Sequence, residues 1–410
     1  MNALPNSMTA RDEWRSLSIL IAINFIDMVG FAIILPLMPF YTLRLQGSEM
    51  MVGLITSTFS VAQILSAPFW GRISDRYGRR PALLAGLLAS AAAYVVFGLA
   101  ESVTMLLLSR FVQGAGGGTT GVAQAYVADT VAPENRARAL GWLSAATSAG
   151  VMVGPVIGSF GSQLGPAAPG FIAAGLCLLN AAFAWWWLPE SRVQAVGESP
   201  PRRPIWGTLT QVVLQPGLPT SRLILIYGAG MLAFSAVTSV LALFLSADFG
   251  VTEATIGYFF LYVGALSVVM RTLFLGPIVA RVGEVRAMRA GAMVLVVGLL
   301  LYPLADSLLT LAAVIPFVPI GTALLFPAST SLLSRATDRA STGLVMGVAQ
   351  TFAGVSRVVA PLAATAAFQH LGHGAPFQLA AIVVALVSVL VWRVEVPGAP
   401  ASPAGSKGAA

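Results

Sequence analysis

Long apolar runs alternate with short polar breaks along almost the whole chain. Each run approaches the ~20 residues that a helix needs to cross a bilayer core. The pattern predicts twelve spans, at 16–41, 50–70, 81–100, 103–128, 139–163, 169–188, 223–246, 254–280, 285–305, 308–334, 342–369 and 375–392. Only Glu101 and Asp306 mark the breaks between the third and fourth and between the ninth and tenth. One break is densely charged: GRISDRYGRR, residues 71–80, holds Arg72, Asp75, Arg76, Arg79 and Arg80. Charges at that density cannot lie in hydrocarbon, so the stretch is expected to be an aqueous hairpin. Gly71 is expected to let the second helix approach a neighbour, and Gly78 to permit a tight reversal.

An even number of spans puts both ends of the chain on one side. With that alternation, every basic residue outside the span interiors except Arg44 falls on the side of the hairpin. The positive-inside rule therefore predicts cytoplasmic termini and a cytoplasmic hairpin. The same asymmetry accounts for the net charge of +7 without any nucleic-acid partner.

Composition agrees with this reading. The 410 residues are 57% hydrophobic and 10% charged, where soluble domains carry about 25% charged residues. The single cysteine, Cys177, lies in an apolar run, and His370 and His373 are the only histidines. A disulfide framework, a metal site and a cofactor are therefore not expected. The first run is too long for a cleavable leader and contains Asp27, so it is read as a retained span. Composition changes between 189 and 222, which divides the chain into a short cytoplasmic N-terminus (1–15), a six-helix half (16–188), a cytoplasmic linker (189–222), a second six-helix half (223–392) and a Pro- and Ala-rich tail (393–410) expected to be disordered. The halves echo each other. GPIVARVGEVR at 276–286 is a worn copy of the hairpin, and Pro361 echoes Pro155 at nearly the same offset.

Within the spans, a few residues carry candidate chemistry. Asp27 is the acid placed inside a span, and Arg110 the cation about a third of the way into the fourth. Buried charges in a membrane face the protein interior and mark functional paths. Asp27 is therefore read as the proton-binding group with Arg110 as its partner; a purely structural pair is the other reading. The fourth span also holds Gly116, Gly118 and Gly121 in a G-x-G-x-x-G spacing. No strand precedes it, which excludes a dinucleotide site and leaves close helix packing. Gly150, Gly154, Pro155 and Gly158 in the fifth span predict a flat, bent helix face. Asp129, at the end of the fourth span, is placed to join Asp75 and Arg79 in a charge relay, or is simply a solvated acid. Arg271 and Arg357 lie deep in the eighth and eleventh spans without an acid nearby in sequence. They either grip an anionic group of a substrate or pair with carbonyls at helix breaks.

These motifs resemble the major facilitator superfamily, over about residues 16–392. The likeness lies in the hairpin G-x-x-x-D-R-x-G-R-R, in the Gly-Pro pair of the fifth span, and in IDMVGFAIILPLMP and AYVADTVAPENRARALG. It is strongest to the tetracycline/proton antiporters of the twelve-span drug:proton branch. The resemblance implies an all-α membrane protein of two pseudo-symmetric six-helix bundles. It also implies alternating access and proton-driven export of an amphipathic small molecule by a monomer in a bacterial inner membrane. It gives the hairpin residues Gly71, Asp75, Arg76, Gly78, Arg79 and Arg80, with Asp129, the role of a latch between the halves. The chain has Ala91–Ala93 and Met293–Val297 where those exporters carry acids in the third and ninth spans, which argues against tetracycline itself. Arg271 and Arg357 motivate a second expectation, export of an anionic metabolite such as a siderophore. A membrane enzyme or receptor has no support: no nucleophile–base pair, metal cluster or soluble domain is evident.

Overall fold

The computed structural model describes residues 10–132, 134–191, 206–337, 341–392 and 394. The tail beyond residue 394, most of the linker and the basic residues Arg192, Arg202, Arg203, Arg339, Arg393 and Lys407 lie outside them.

The described chain is helical throughout. The first half comprises α1 (Trp14–Arg44), α2 (Glu49–Tyr77), α3 (Arg79–Gly98), α4 (Val103–Gly116), α5 (Thr119–Thr130), α6 (Arg136–Gln163) and α7 (Ala168–Trp187). A short helix, α8 (Trp206–Leu214), lies in the linker. The second half comprises α9 (Pro219–Phe249), α10 (Ile256–Val282), α11 (Glu284–Leu304), α12 (Leu308–Arg335), α13 (Thr342–Leu371) and α14 (Ala375–Trp392). Eleven of these are long and apolar enough to cross a membrane.

The expected fourth span is divided into α4 and α5. Their 14 and 12 residues rise about 21 and 18 Å, each short of the ~30 Å core. Prolines interrupt other helices more gently: α1 passes through a 3-10 turn at Leu35–Leu37, and α11 ends in one at Tyr302–Leu304. α10 contains a π-helical turn, Met270–Phe274.

The hairpin differs from its expectation in one respect. Helix α2 runs on through Gly71 to Tyr77, and only Gly78 leaves helical geometry, at φ 105° and ψ 161°. Long arginine stems can carry a helix beyond the apolar layer, so the end of hydrophobicity is not the end of the helix. Gly71 makes no close approach: a Cβ added there meets nothing within 4 Å. Gly78 does make the reversal, in a backbone region that is essentially glycine-only.

Within the first half, α1 packs on α6 and α7, α2 on α4, and α3 on α4 and α7. Within the second, α9 packs on α12, α13 and α14, and α11 on α12 and α14. Contact between the halves concentrates in two seams, α2 with α13 and α6 with α10. The seams repeat one device. A Cβ added at Gly53 of α2 would sit 2.6 Å from the carbonyl of Pro361 in α13. A Cβ at Gly257 of α10 would sit 2.7 Å from the carbonyl of Pro155 in α6. Each seam thus sets a bare glycine against the carbonyl of a helix-interior proline, which is what an internally duplicated chain would build twice.

Further bonds between the halves gather toward the same end. Arg44 pairs with Glu253. Gln369 accepts from the Met50 amide at 3.1 Å, the Gly257 amide donates to Ser159 Oγ at 2.8 Å, and Ser57 donates to the Val358 carbonyl at 2.7 Å. At the hairpin end, a Cβ added at Gly71, Gly276, Gly343 or Gly347 meets nothing within 4 Å.

Candidate functional site

Asp27 lies in the middle of α1, with 8% of its surface exposed. Its helix is held on two sides by side-chain amides. Asn24 donates to the Leu143 carbonyl and to Thr147 of α6, and Asn180 of α7 donates to the Ile23 carbonyl. Behind α1 lies the glycine face of α6. Cβ atoms at Gly150, Gly154 and Gly158 would fall within 2.8, 2.7 and 2.5 Å of the carbonyls of Phe25, Val29 and Ile33. Those positions recur every four residues on both helices, so the two backbones meet along one stripe. The fifth-span motif is therefore the bed on which the helix bearing Asp27 lies. α6 continues through Pro155 as one helix.

The Asp27 carboxylate accepts a hydrogen bond from Thr119 Oγ1 at 3.1 Å. Thr119 is the first residue of α5. The two line a small cavity with Leu20, Ile23, Asn24, Leu83, Leu87 and Ala123. Among the described residues Asp27 forms no ion pair, and the expected pairing with Arg110 is absent. Arg110, 3% exposed, instead donates to Gln113, which in turn donates to the Tyr94 hydroxyl. Its guanidinium stands 5.8 Å from the centroid of the Phe97 ring. Its Nε and Nη2 are buried without a partner. Tyr94, at the end of this chain of bonds, has its ring edge 3.5 Å from a Cβ built on Gly30, one turn after Asp27. A neutral amide and a phenol thus take the place that the sequence suggested for a carboxylate.

Around the hairpin, Asp75, Arg79 and Asp129 lie together. Arg79 donates to Asp75 at 2.7 Å, to Asp129 at 2.8 Å and to Ser74 Oγ at 2.8 Å. Glu190 accepts from the backbone amides of Arg79 and Arg80 at 2.8 and 3.1 Å. Arg80 also donates to the Trp185 carbonyl and lies over that indole ring. All of these partners belong to the first half or to the residues just after it. Arg76 stacks on its neighbour Tyr77.

Arg271 sits in the π-helical turn of α10 and is exposed. Arg357 is half-buried in α13, with its Nε lacking a partner. Neither forms an ion pair among the described residues. No group of metal-ligating side chains occurs among them either.

Sequence reasoning missed Thr119, Gln113, Tyr94, Asn24 and Asn180. A polar residue inside a membrane span is a usable signal for each, weaker than a formal charge.

Comparison with known proteins places this geometry. The family model described as Major Facilitator Superfamily matches residues 20–321 and 223–410. Tetracycline resistance protein, class B, of Escherichia coli is 29% identical over 285 residues, 67% of this chain and 69% of that protein. Multidrug resistance protein 2 of Bacillus subtilis is 28% identical over 398 residues, 93% of this chain and 96% of that protein. Among solved structures, a bacterial homolog of the human lysosomal transporter Spinster, inward-facing and unoccupied, superposes with a TM-score of 0.78 at 15% identity over 95% of this chain and 98% of that one. A human organic anion transporter gives 0.68 at 22% identity over 92% and 99%. The chain is a multi-pass membrane protein and belongs to the Major Facilitator Superfamily of transporters.

Proposed function

We propose that the chain is a drug-efflux-type antiporter that expels an amphipathic small molecule in exchange for protons, alternating between two access states. The carrying observation is Asp27: an acid buried among helices, held by a hydroxyl and by no cation. Such a group can take up and release one proton without breaking a salt bridge. The multidrug and tetracycline resistance relatives support the substrate type. In this reading α4 and α5 together make a twelfth crossing, and the halves form two six-helix bundles. The hairpin end and both termini face the cytoplasm of a bacterial inner membrane, and the protein works as a monomer with its substrate and protons as partners. Closure of both seams at the Arg44 end then describes an inward-facing state.

The test uses everted vesicles with an imposed pH gradient and a panel of cationic, neutral and anionic compounds. Wild type is expected to accumulate at least one compound, and Asp27→Asn to abolish accumulation while inserting normally. Wild-type accumulation by Asp27→Asn overturns the proton-coupling role.

A second reading is favoured by one observation: Arg271 and Arg357 have no carboxylate partner among the described residues. Guanidinium groups so placed would grip an anionic substrate with two parallel hydrogen bonds. The similarity to a human organic anion transporter supports it at the level of fold. Arg271→Lys and Arg357→Lys should then weaken export of anionic compounds more than neutral ones. Unchanged export of every compound by both variants rejects this reading.

A further inference from the structure

The interruption of the fourth crossing touches both the buried acid and the seam between the halves. The Gly117 amide bonds to Gly114 O at 3.0 Å and the Gly118 amide to Gly116 O at 2.9 Å, and the regular ladder resumes with Val122 on Gly118 O at 3.1 Å. A broken ladder frees carbonyls, and inside a membrane each must find a donor. Here the side-chain donors all come from α2. Ser66 donates to Gly114 O at 3.2 Å, Trp70 Nε1 to Ala115 O, and Gln63 to Gly117 O at 3.3 Å. On the other side of the break, α5 opens with Thr119, whose hydroxyl donates to Asp27. Gly86 of α3 leaves Thr119 its room, since a Cβ there would lie 2.6 Å from Thr119 Cγ2.

We propose that this break is the coupling element of the transporter: Thr119 positions Asp27, and Gln63, Ser66 and Trp70 carry a change at Asp27 into α2. The inference rests on Asp27 being the proton site. The titratable groups around Asp27 are few. Tyr94 of α3 and Cys177 of α7 lie within its electrostatic reach. Arg110 of α4 is turned toward Gln113. From α6 the groups at this level are Thr147 and the Leu143 carbonyl, bonded to Asn24, and α5 contributes Thr119.

The ionised carboxylate receives a charge-assisted bond from Thr119 at the positive end of α5, which holds α5 against α1. A proton on the carboxylate removes that charge and leaves a neutral bond about half as strong. α5 is then free to tilt about Gly117–Gly118, and the turn passes that movement to the Gly117 carbonyl held by Gln63 and to the Gly114 and Ala115 carbonyls at the end of α4, held by Ser66 and Trp70. α2 forms the seam with α13 and ends in the charged hairpin. The proton's effect thus reaches the seam through the backbone of the break and the hydrogen bonds that α2 makes to it.

Positioning and transmission are separable by experiment. In proteoliposomes, substrate-driven proton release is measured across pH for wild type, Asp27→Asn, Thr119→Val and Thr119→Ser. Thr119→Val is expected to move the pH midpoint by about one unit, the loss of one charge-assisted bond, and Thr119→Ser to restore it. In a Cys177→Ser background, spin labels on Tyr77→Cys and Gly343→Cys report the separation of the halves. Wild type should show a pH-dependent distance change, and Gln63→Leu with Trp70→Phe should lose at least half of it while keeping the wild-type midpoint. A wild-type midpoint in Thr119→Val together with wild-type label distances in the α2 double variant overturns the coupling role, even with Asp27→Asn inactive. Proton release by Asp27→Asn overturns the proton-site reading instead, and this proposal with it.

Discussion

The two hairpins that join the second to the third helix of each half share a backbone and differ in chemistry. Gly78 and Gly283 both end a helix in the same unusual conformation, at φ 105°, ψ 161° and φ 82°, ψ 160°. The next residue is Arg79 in one and Glu284 in the other. Arg79 holds two carboxylates and a serine, and Glu190 caps the turn above it. Among the described residues Glu284 pairs with the exposed Arg335 at 3.1 Å and accepts from Ser331 at 2.7 Å. The charge is inverted, the bridge still crosses to the end of the fourth or tenth span, and the network has thinned. The turn is common to both hairpins and the ion pair is not, because a positive-φ reversal accepts almost nothing but glycine while a bridge works with either sign.

The largest expected difference is at the turns. A Cβ at Gly78 would meet strained backbone and also lie 2.5 Å from a Glu190 oxygen, while one at Gly283 meets strain and open space. Gly283→Ala should cost about 1–3 kcal/mol. Gly78→Ala should cost more, seen as a lower detergent melting temperature and lower yield. Equal melting temperatures for the two would mean that Glu190 does not brace the first turn.

Next in size is the removal of the central charge. Arg79→Ala leaves Asp75 and Asp129 facing one another, and transport should fall roughly tenfold, as for a loss of about 1.4 kcal/mol. Glu284→Gln should change the rate less than about fivefold, since its partner Arg335 is exposed and such pairs contribute about 0.2–1 kcal/mol. The same flux assay on both variants decides whether the first network alone matters.

The smallest effect tests the sign. Exchanging the pair as Glu284→Arg with Arg335→Glu should leave transport within about fivefold of wild type, since a pair with one exposed partner contributes only about 0.2–1 kcal/mol in either orientation. The matching exchange, Arg79→Glu with Asp129→Arg, should not be tolerated, because Asp75 and Glu190 remain beside the new acid. Wild-type flux from the first-half exchange would show that its network is no more specific than its copy.

Eleven of the spans and the meeting of Arg79 with Asp75 and Asp129 were legible because hydrophobicity and formal charge are written directly in the residues. The divided fourth crossing was not. Its glycines read as packing residues, and the donors that make a break tolerable, Gln63, Ser66 and Trp70, lie about fifty residues earlier on another helix. The pairing of Asp27 with Arg110 failed for a related reason. Opposite charges invite pairing on paper, whereas in space Gln113 and Tyr94 intervene. The π-helical turn under Arg271 has no pattern in sequence at all, since MRTLF reads as ordinary helix. The family comparison supplies the class of transporter but no account of these local choices.

The paired glycine–proline contacts set a length scale. Gly53 and Gly257 fix two points near one end of the molecule, where each glycine lies against a proline carbonyl and a neighbouring hydroxyl, Thr365 at one and Ser159 at the other. From Gly53 to Gly71, α2 extends about 27 Å beyond its contact. A lever of that length turns a rotation of about 20° into a displacement of about 9 Å at the far end. A single methyl group at Gly53, wedged against the Pro361 carbonyl, therefore acts at the short arm, and the far end would register it severalfold enlarged.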